Sequence, residues 1–130
     1  MGADTDLTRK VSMPGTILIA DDEKAMLSLY SRLFSDKDYV LTLAASFAEA
    51  AELIEKNTYD LLVTDLVFPD GLGTELVKRF EWKKRGAKSL VVTGSAPVDD
   101  KLVKVGSARY FEKPFKVDVF MAAVEQALSA

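Results

Sequence analysis

A chain of 130 residues is long enough to bury one hydrophobic core, and we expect a single domain. It carries 17 basic and 20 acidic residues, and its net charge of −3 gives no electrostatic indication of nucleic-acid binding. Cysteine and histidine are absent, which excludes disulfides, thiolate catalysis, serine–histidine catalysis and most transition-metal sites. Any chemistry must therefore use carboxylates, hydroxyl groups, lysines and a hard cation.

The N-terminal part of the chain differs from the rest. Residues 1–14 are polar and lack hydrophobic periodicity, so we expect a flexible tail followed by one domain over residues 15–130. The sequence has no apolar run long enough to span a membrane and no signal-peptide pattern. We therefore expect no membrane association.

Short apolar runs alternate with amphipathic segments along the domain. The runs predict five β-strands, at residues 17–20, 39–44, 60–65, 89–93 and 108–112. Each is followed by a predicted helix, and these five helices contain Met26, Phe47, Thr74, Pro97 and Val117 near their starts. Ser46 and Glu49 form a capping-box pattern, and Gly86 is a typical helix stop. Five βα units predict an α/β domain whose parallel sheet is covered on both faces, in three layers.

Polar residues follow four of the predicted strands. Asp21 and Asp22 follow the first, Asp65 ends the third, Thr93 ends the fourth and Lys113 follows the fifth. Each alone has a simple structural explanation, such as helix capping, a turn or a solvated charge. Together they place three carboxylates at one edge of the sheet, where their repulsion requires a cation or a raised pKa. Mg²⁺ suits such a site because it prefers oxygen ligands and is held by one or two carboxylates.

These residues, in this order, resemble the receiver domain of two-component response regulators over residues 16–128. The matching motifs are Asp21-Asp22, Asp65, Pro69, Thr93 and Lys113-Pro114. The resemblance implies a flavodoxin-like doubly wound sheet with strand order 2-1-3-4-5, the order that a receiver protein illustrates among known folds. It also implies a cytoplasmic phosphoprotein that acts in signal transduction or a phosphorelay.

The resemblance also implies a role for each residue of the site. Asp65 would accept a phosphoryl group from a phosphohistidine on a histidine kinase or a phosphotransfer protein. Mg²⁺, or Mn²⁺ in its place, would be bound by Asp22, Asp65 and the backbone carbonyl of Val67, with Asp21 acting mainly through water. Lys113 would pair with Asp65 and then with the phosphoryl oxygens.

A conformational switch is implied as well. Thr93 would move toward the phosphoryl group and let Tyr110 turn inward, and the bond before Pro114 would be cis. The readout would be the surface formed by the fourth helix, the fifth strand and the fifth helix. The stretch from residue 93 to residue 106 is about two residues shorter than the family leads us to expect, which predicts a short fourth helix.

We expect no enzyme activity beyond self-phosphorylation and slow self-dephosphorylation, because the apolar Val67 cannot orient a hydrolytic water. Two alternatives are a receiver-like interaction module that works without phosphorylation and a phosphatase with Asp65 as its nucleophile. The complete set of acidic, hydroxyl and lysine residues argues against the first. The absence of a cap domain and of a second acid at Val67 argues against the second.

Two surface features lie outside this set. Trp82 is off the apolar stripe of its helix, so it is predicted to be half exposed, either as a contact surface or flat against the helix. The basic cluster, which comprises Lys83, Lys84, Arg85 and Lys88, is better explained as a solvated helix end than as a nucleic-acid site.

Overall fold

The computed structural model of the chain describes residues 15–94 and 109–129. The predicted tail, the predicted short helix near Pro97 and the start of the predicted fifth strand at Ala108 lie outside the described residues. Among the described helices, none is both long and apolar enough to cross a membrane.

A five-stranded parallel sheet forms the centre of the domain. Its strands are β1 (Thr16–Ala20), β2 (Val40–Ala44), β3 (Leu61–Thr64), β4 (Lys88–Thr93) and β5 (Arg109–Glu112). They lie in the order β2-β1-β3-β4-β5, with every neighbouring pair parallel. This confirms the doubly wound flavodoxin-like fold class. Strand β3 is two residues shorter than predicted: Asp60 and Asp65, the predicted end residues, lie immediately outside it.

Helices cover both faces of this sheet. The described residues contain four: α1 (Lys24–Leu33), α2 (Phe47–Lys56), α3 (Gly73–Lys83) and α4 (Val117–Ser129). Alternate side chains of β1 show how the core is divided. Leu18 and Ala20 pack in a cluster with apolar residues of α2 and α3, whereas Ile17 and Ile19 pack with those of α1 and α4. The result is the predicted three-layer arrangement, in which every residue of β3 is buried.

The ends of α2 and α3 follow the sequence signals. The Oγ atom of Ser46 accepts a hydrogen bond from the Glu49 amide at 3.1 Å, and Glu49 in turn accepts one from the Ala45 amide at 2.8 Å. This confirms the capping pattern, although the glutamate reaches one residue further back than in the usual capping box. Gly86 has a φ of 83°, a conformation that favours glycine and that ends the segment after α3.

A short hairpin between β3 and α3 was not predicted. Residues 67–68 pair antiparallel with residues 71–72 directly after Asp65. Gly73 begins α3 so close to the preceding chain that a Cβ atom there would lie 1.9 Å from the carbonyl oxygen of Asp65. Only glycine fits this position, so the loop after Asp65 is drawn tightly against the helix.

The basic cluster interacts with neighbouring elements as well as with solvent. The Nζ atom of Lys83 donates to the carbonyl oxygens of Ile54, Glu55 and Asn57, at 2.6, 2.6 and 2.9 Å. It therefore caps the C-terminus of α2 rather than that of its own helix, which the sequence interpretation missed. Trp82 is 90% exposed, well beyond the predicted half exposure, so the alternative of a ring flat against the helix is wrong.

Asp60 joins the beginnings of β1 and β3. Its Oδ2 atom accepts hydrogen bonds from the backbone amide and the hydroxyl of Thr16, at 2.9 and 3.1 Å. Its Oδ1 atom accepts one from the Nζ atom of Lys84 at 2.8 Å. Partial burial raises the pKa of Asp60, but the bonds from Lys84 and Thr16 outweigh that effect and hold the pKa below its usual range.

Substitution Asp60→Asn is expected to lower the free energy of unfolding at pH 7 by about 1 kcal/mol, a modest cost because both partners of the Lys84 pair are more than a third exposed and screened by water. A lowered pKa stabilises the fold above the unfolded-state pKa, and this contribution is lost as pH falls through the folded-state pKa. The difference between variant and wild type should therefore shrink between pH 5 and pH 3 in urea titrations. A difference independent of pH would show that the charge of Asp60 contributes nothing.

Candidate functional site

The strand ends bring the predicted carboxylates together. Ala20 is in register with Thr64 on the neighbouring strand, so the next residues, Asp21 and Asp65, leave the sheet side by side. The Asp65 amide donates to the Ala20 carbonyl at 3.0 Å, and the Asp21 amide donates to the Ala44 carbonyl at 3.0 Å. These bonds continue the ladders of the sheet by one residue, which fixes the backbone under both side chains.

Three aspartates form one cluster at this edge. One carboxylate oxygen from each of Asp21, Asp22 and Asp65 lies within 4.8 Å of the other two. Asp21 is fully buried, Asp65 is 9% exposed and Asp22 is exposed. The cluster is therefore anchored in the protein and open to solvent on one side. Asp21 also accepts a bond from the Glu23 amide at 2.9 Å, but Glu23 is the N-cap of α1 and no side chain caps that helix, so the alternative of Asp21 as a helix cap is not confirmed.

Lys113 is the cation within this cluster. Its backbone amide donates to the Thr93 carbonyl at 2.8 Å, which brings the end of β5 beside that of β4. Its Nζ atom lies 3.1 Å from Asp21 Oδ2, 3.3 Å from Asp65 Oδ2 and 2.6 Å from Glu23 Oε1. Lys113 therefore bridges two predicted site residues and a third carboxylate, Glu23, that the sequence interpretation did not select. The signal for Glu23 was its place directly after Asp21-Asp22.

The electrostatics of the cluster reflect burial and pairing. Burial raises the pKa of Asp21, and the hydrogen bonds from the Glu23 amide and Lys113 only partly offset it. Burial lowers the pKa of Lys113, but the bonds to Glu23 and Asp21 outweigh it and leave the pKa above its usual value. Lys113 is therefore charged at neutral pH, and it neutralises about one of the negative charges around it.

The remaining predicted residues lie around the cluster. Thr93 is 3% exposed at the end of β4, next to the strand that carries Asp65. Tyr110 is partly buried in β5 against the core cluster shared with α2 and α3. Val67 belongs to the hairpin two residues after Asp65, and its side chain is 51% exposed. The bond between Lys113 and Pro114 is cis.

The donor set fits a hard divalent cation. All three side-chain donors are carboxylates, the cluster holds more negative charge than Lys113 neutralises, and one of its members is exposed. Such a site suits Mg²⁺, because Mg²⁺ is usually bound by one or two carboxylates and keeps several of its water ligands. Asp65 itself has one oxygen engaged by the Leu66 amide at 2.7 Å and the other directed at Lys113. Carboxylates are among the side chains that can attack a phosphoryl group and form a covalent intermediate.

A family model matches this arrangement. The model for the response regulator receiver domain matches residues 17–125, which include every residue of the cluster. The chain belongs to the response regulator receiver domain family. Receiver domains are signalling modules that work through phosphorylation, and the resemblance seen in the sequence motifs is thereby confirmed.

Individual relatives agree with the family match. The chain is 27% identical over 114 residues to sporulation initiation phosphotransferase F of Bacillus subtilis, covering 86% of this chain and 92% of that protein. Among other curated relatives, the chain spans 26% of the alginate biosynthesis regulator AlgB of Pseudomonas putida and 51% of the response regulator MprA of Mycobacterium. Receiver domains of this family thus also occur as parts of longer regulators.

Solved structures share the fold. A response regulator receiver protein from Sinorhizobium medicae superposes with a TM-score of 0.83 at 27% identity, over 91% of this chain and 97% of that one. The receiver domain of the sensor histidine kinase PA1611 from Pseudomonas aeruginosa has a TM-score of 0.79 at 20% identity, covering 90% and 99%. That second structure has a magnesium ion coordinated in its active-site cleft.

Proposed function

We propose that Asp65 accepts a phosphoryl group from a phosphohistidine of a histidine kinase or phosphotransfer protein, in the cytoplasm. The observation that carries this proposal is the position of Asp65, buried between Asp21, Asp22 and Lys113 with one oxygen fixed by a backbone amide. The phosphohistidine lies outside these 130 residues, because they contain no histidine. The similarity to a sporulation phosphotransferase supports a role in phosphoryl transfer.

The two oxygens of Asp65 would have different tasks. The Leu66 amide holds Oδ1 at 2.7 Å, so Oδ2 is the oxygen left to attack phosphorus. A new oxygen–phosphorus bond forms as the bond from phosphorus to the donor nitrogen breaks, and the electron pair stays with the donor imidazole. Lys113 already lies 3.3 Å from Oδ2, so its ammonium group is placed to pair with the phosphoryl oxygens that arrive there.

The metal site follows from the same cluster. Mg²⁺ would be held by Asp22, Asp65 and the carbonyl of Val67, with Asp21 acting mainly through water. Mn²⁺ would be able to replace Mg²⁺. The bound cation supplies charge neutralisation for the transferring phosphoryl group. The mutual proximity of the three carboxylates and the magnesium-bound neighbour of the same fold support this assignment.

The switch would act through the end of β4. Thr93 is buried at the end of β4, one strand away from Asp65, and its hydroxyl would move toward a new phosphoryl oxygen. Its movement would leave space for Tyr110, which already packs partly against the core. The changed surface would then control a protein partner or an effector domain. The predicted short helix of this surface lies outside the described residues.

Incubation with acetyl phosphate tests the proposal most directly. With Mg²⁺ present, the protein is expected to gain one phosphoryl group, detected as a mass shift that hydroxylamine removes, and without Mg²⁺ the shift should be absent. Beryllofluoride, which mimics a phosphoryl group, should bind in the presence of Mg²⁺ and stabilise the fold.

Failure to take up either group would favour an interaction module that works without phosphorylation, and turnover of a generic phosphate ester would favour a phosphatase.

The same samples report the decay of the acyl phosphate. Because the side chain of Val67 offers no group to orient water, hydrolysis should be slow, and a half-life of seconds would contradict that point alone.

A further inference from the structure

The loop that leaves Asp65 is held in place at its far end by a different helix. This loop runs from Asp65 to Gly73 and contains the hairpin in which Val67 pairs with Leu72. At the tip of the hairpin, the carboxylate of Asp70 accepts hydrogen bonds from the backbone amides of Phe47 and Ala48, at 3.1 and 3.0 Å. These amides belong to the first turn of α2, more than twenty positions earlier in the chain.

The first turn of α2 thus has two separate caps. The amides at the start of a helix lack partners within the helix and carry the positive end of its dipole. Ser46, from the chain directly before α2, satisfies the Glu49 amide. Asp70, from the loop after Asp65, satisfies the amides of Phe47 and Ala48. The bond from the Ala48 amide is the main reason why the pKa of Asp70 lies below its usual range. Asp70 is therefore charged at neutral pH and joins α2 to the loop.

Apolar contacts close the same junction. The rings of Phe47 and Phe68 meet edge to face at 6.5 Å between centroids. A Cβ atom on Gly71 would lie 2.5 Å from the ring of Phe47, so the tip of the hairpin lies directly on α2. At the base of the loop, the Gly73 amide donates to the Leu66 carbonyl at 2.7 Å. The loop is fixed at both ends, with Val67 between them.

We propose that Asp70 is a positioning residue for the metal and phosphoryl site: by fixing the hairpin to α2, it holds the Val67 carbonyl in place for the cation. This inference rests on the function proposed above. Val67 lies on a two-residue hairpin strand and is 51% exposed, so the position of its carbonyl depends on what fixes the hairpin. Ser46 caps the same helix turn through the Glu49 amide, and among the described residues no hydrogen bond joins its side chain to the loop, which makes it a matched control.

The test compares Asp70→Ala with Ser46→Ala. Both substitutions remove a cap from α2, so both should lower the urea midpoint by similar amounts. Only Asp70→Ala should weaken Mg²⁺ binding, by about tenfold in calorimetric titration, the scale on which lost support of a metal ligand acts. In metal-free protein, it should also speed hydrogen exchange at the Leu66 and Gly73 amides, which Ser46→Ala should leave unchanged.

Asp70→Asn serves as the conservative variant, because an amide oxygen can still accept one of the two bonds. It should recover part of the Mg²⁺ affinity lost in Asp70→Ala, and it gives the same comparison if the alanine variant does not fold. Equal Mg²⁺ affinity and equal loop exchange in the Asp70 and Ser46 variants would overturn the inference and leave Asp70 as a helix cap. If wild type binds Mg²⁺ and takes up phosphoryl groups normally while the Asp70 variants match it, this inference alone fails. If wild type does neither, the proposed function fails with it.

Discussion

The Asp65→Asn variant is expected to remain folded but to take up no phosphoryl group from acetyl phosphate. An amide oxygen can still accept the bond from the Leu66 amide, so the local backbone keeps its partner. The amide is a poor nucleophile, however, and it removes one negative charge from the cluster. Phosphoryl uptake should therefore fall on the order of a thousandfold or more, the scale on which removing a nucleophile acts. Mg²⁺ binding should weaken as well, because the charge of the ligand set tunes affinity.

Asp60→Asn is the matched control for that experiment. Asp60 and Asp65 flank the same buried strand, one before its first residue and the other after its last. Asp60 is joined to Thr16 and Lys84, away from the cluster. Its variant should lose some stability yet take up the phosphoryl group at the wild-type rate. Label that persists in Asp65→Asn and resists hydroxylamine would mean that a hydroxyl group elsewhere is the acceptor.

The Lys113→Met variant is expected to lose about 2–4 kcal/mol of unfolding free energy at pH 7 without divalent cations, as breaking a buried ion pair from one side generally costs several kcal/mol. The side chain of Lys113 is 13% exposed, and those of Asp21 and Asp65 are 1% and 11% exposed, so solvent screens these pairs little. Glu23 is 58% exposed on its side chain and contributes little to this loss. Methionine keeps most of the apolar stem, so the loss reports the charge rather than packing.

Mg²⁺ should restore much of that stability. With Lys113 absent, no other cationic side chain of the described residues pairs with these carboxylates. A ligand that binds only the folded state stabilises it according to its affinity. Urea titrations with and without Mg²⁺ should therefore show a larger gain for Lys113→Met than for wild type. Lys56→Met is a suitable control, since the pair of Lys56 with Glu52 is exposed and its loss should cost less than about 1 kcal/mol. A Lys113→Met variant as stable as wild type without Mg²⁺ would contradict the argument.

The alternation of apolar runs with amphipathic segments predicted the architecture well, because period and length determine which faces must be buried. The four described helices and all five strands lie where this pattern predicts, with ends that differ by a few residues. The hairpin after Asp65 was missed, since its strands have two residues each and leave no periodic signal. The capping of α2 by Lys83 and by Asp70 was also missed, because both contacts join residues more than twenty positions apart.

By itself the sequence determined the fold class, the family and the identity of the chemical groups, since buried strands that end in Asp21, Asp65 and Lys113 must deliver them to one edge of a parallel sheet. Tertiary structure alone decided how those groups pair: Lys113 lies closer to Glu23 than to Asp21 or Asp65, and Asp70 binds a helix rather than the site. The physical reason is that the type and length of each element depend on local pattern, whereas side-chain pairing depends on distances of a few ångströms between distant parts of the chain.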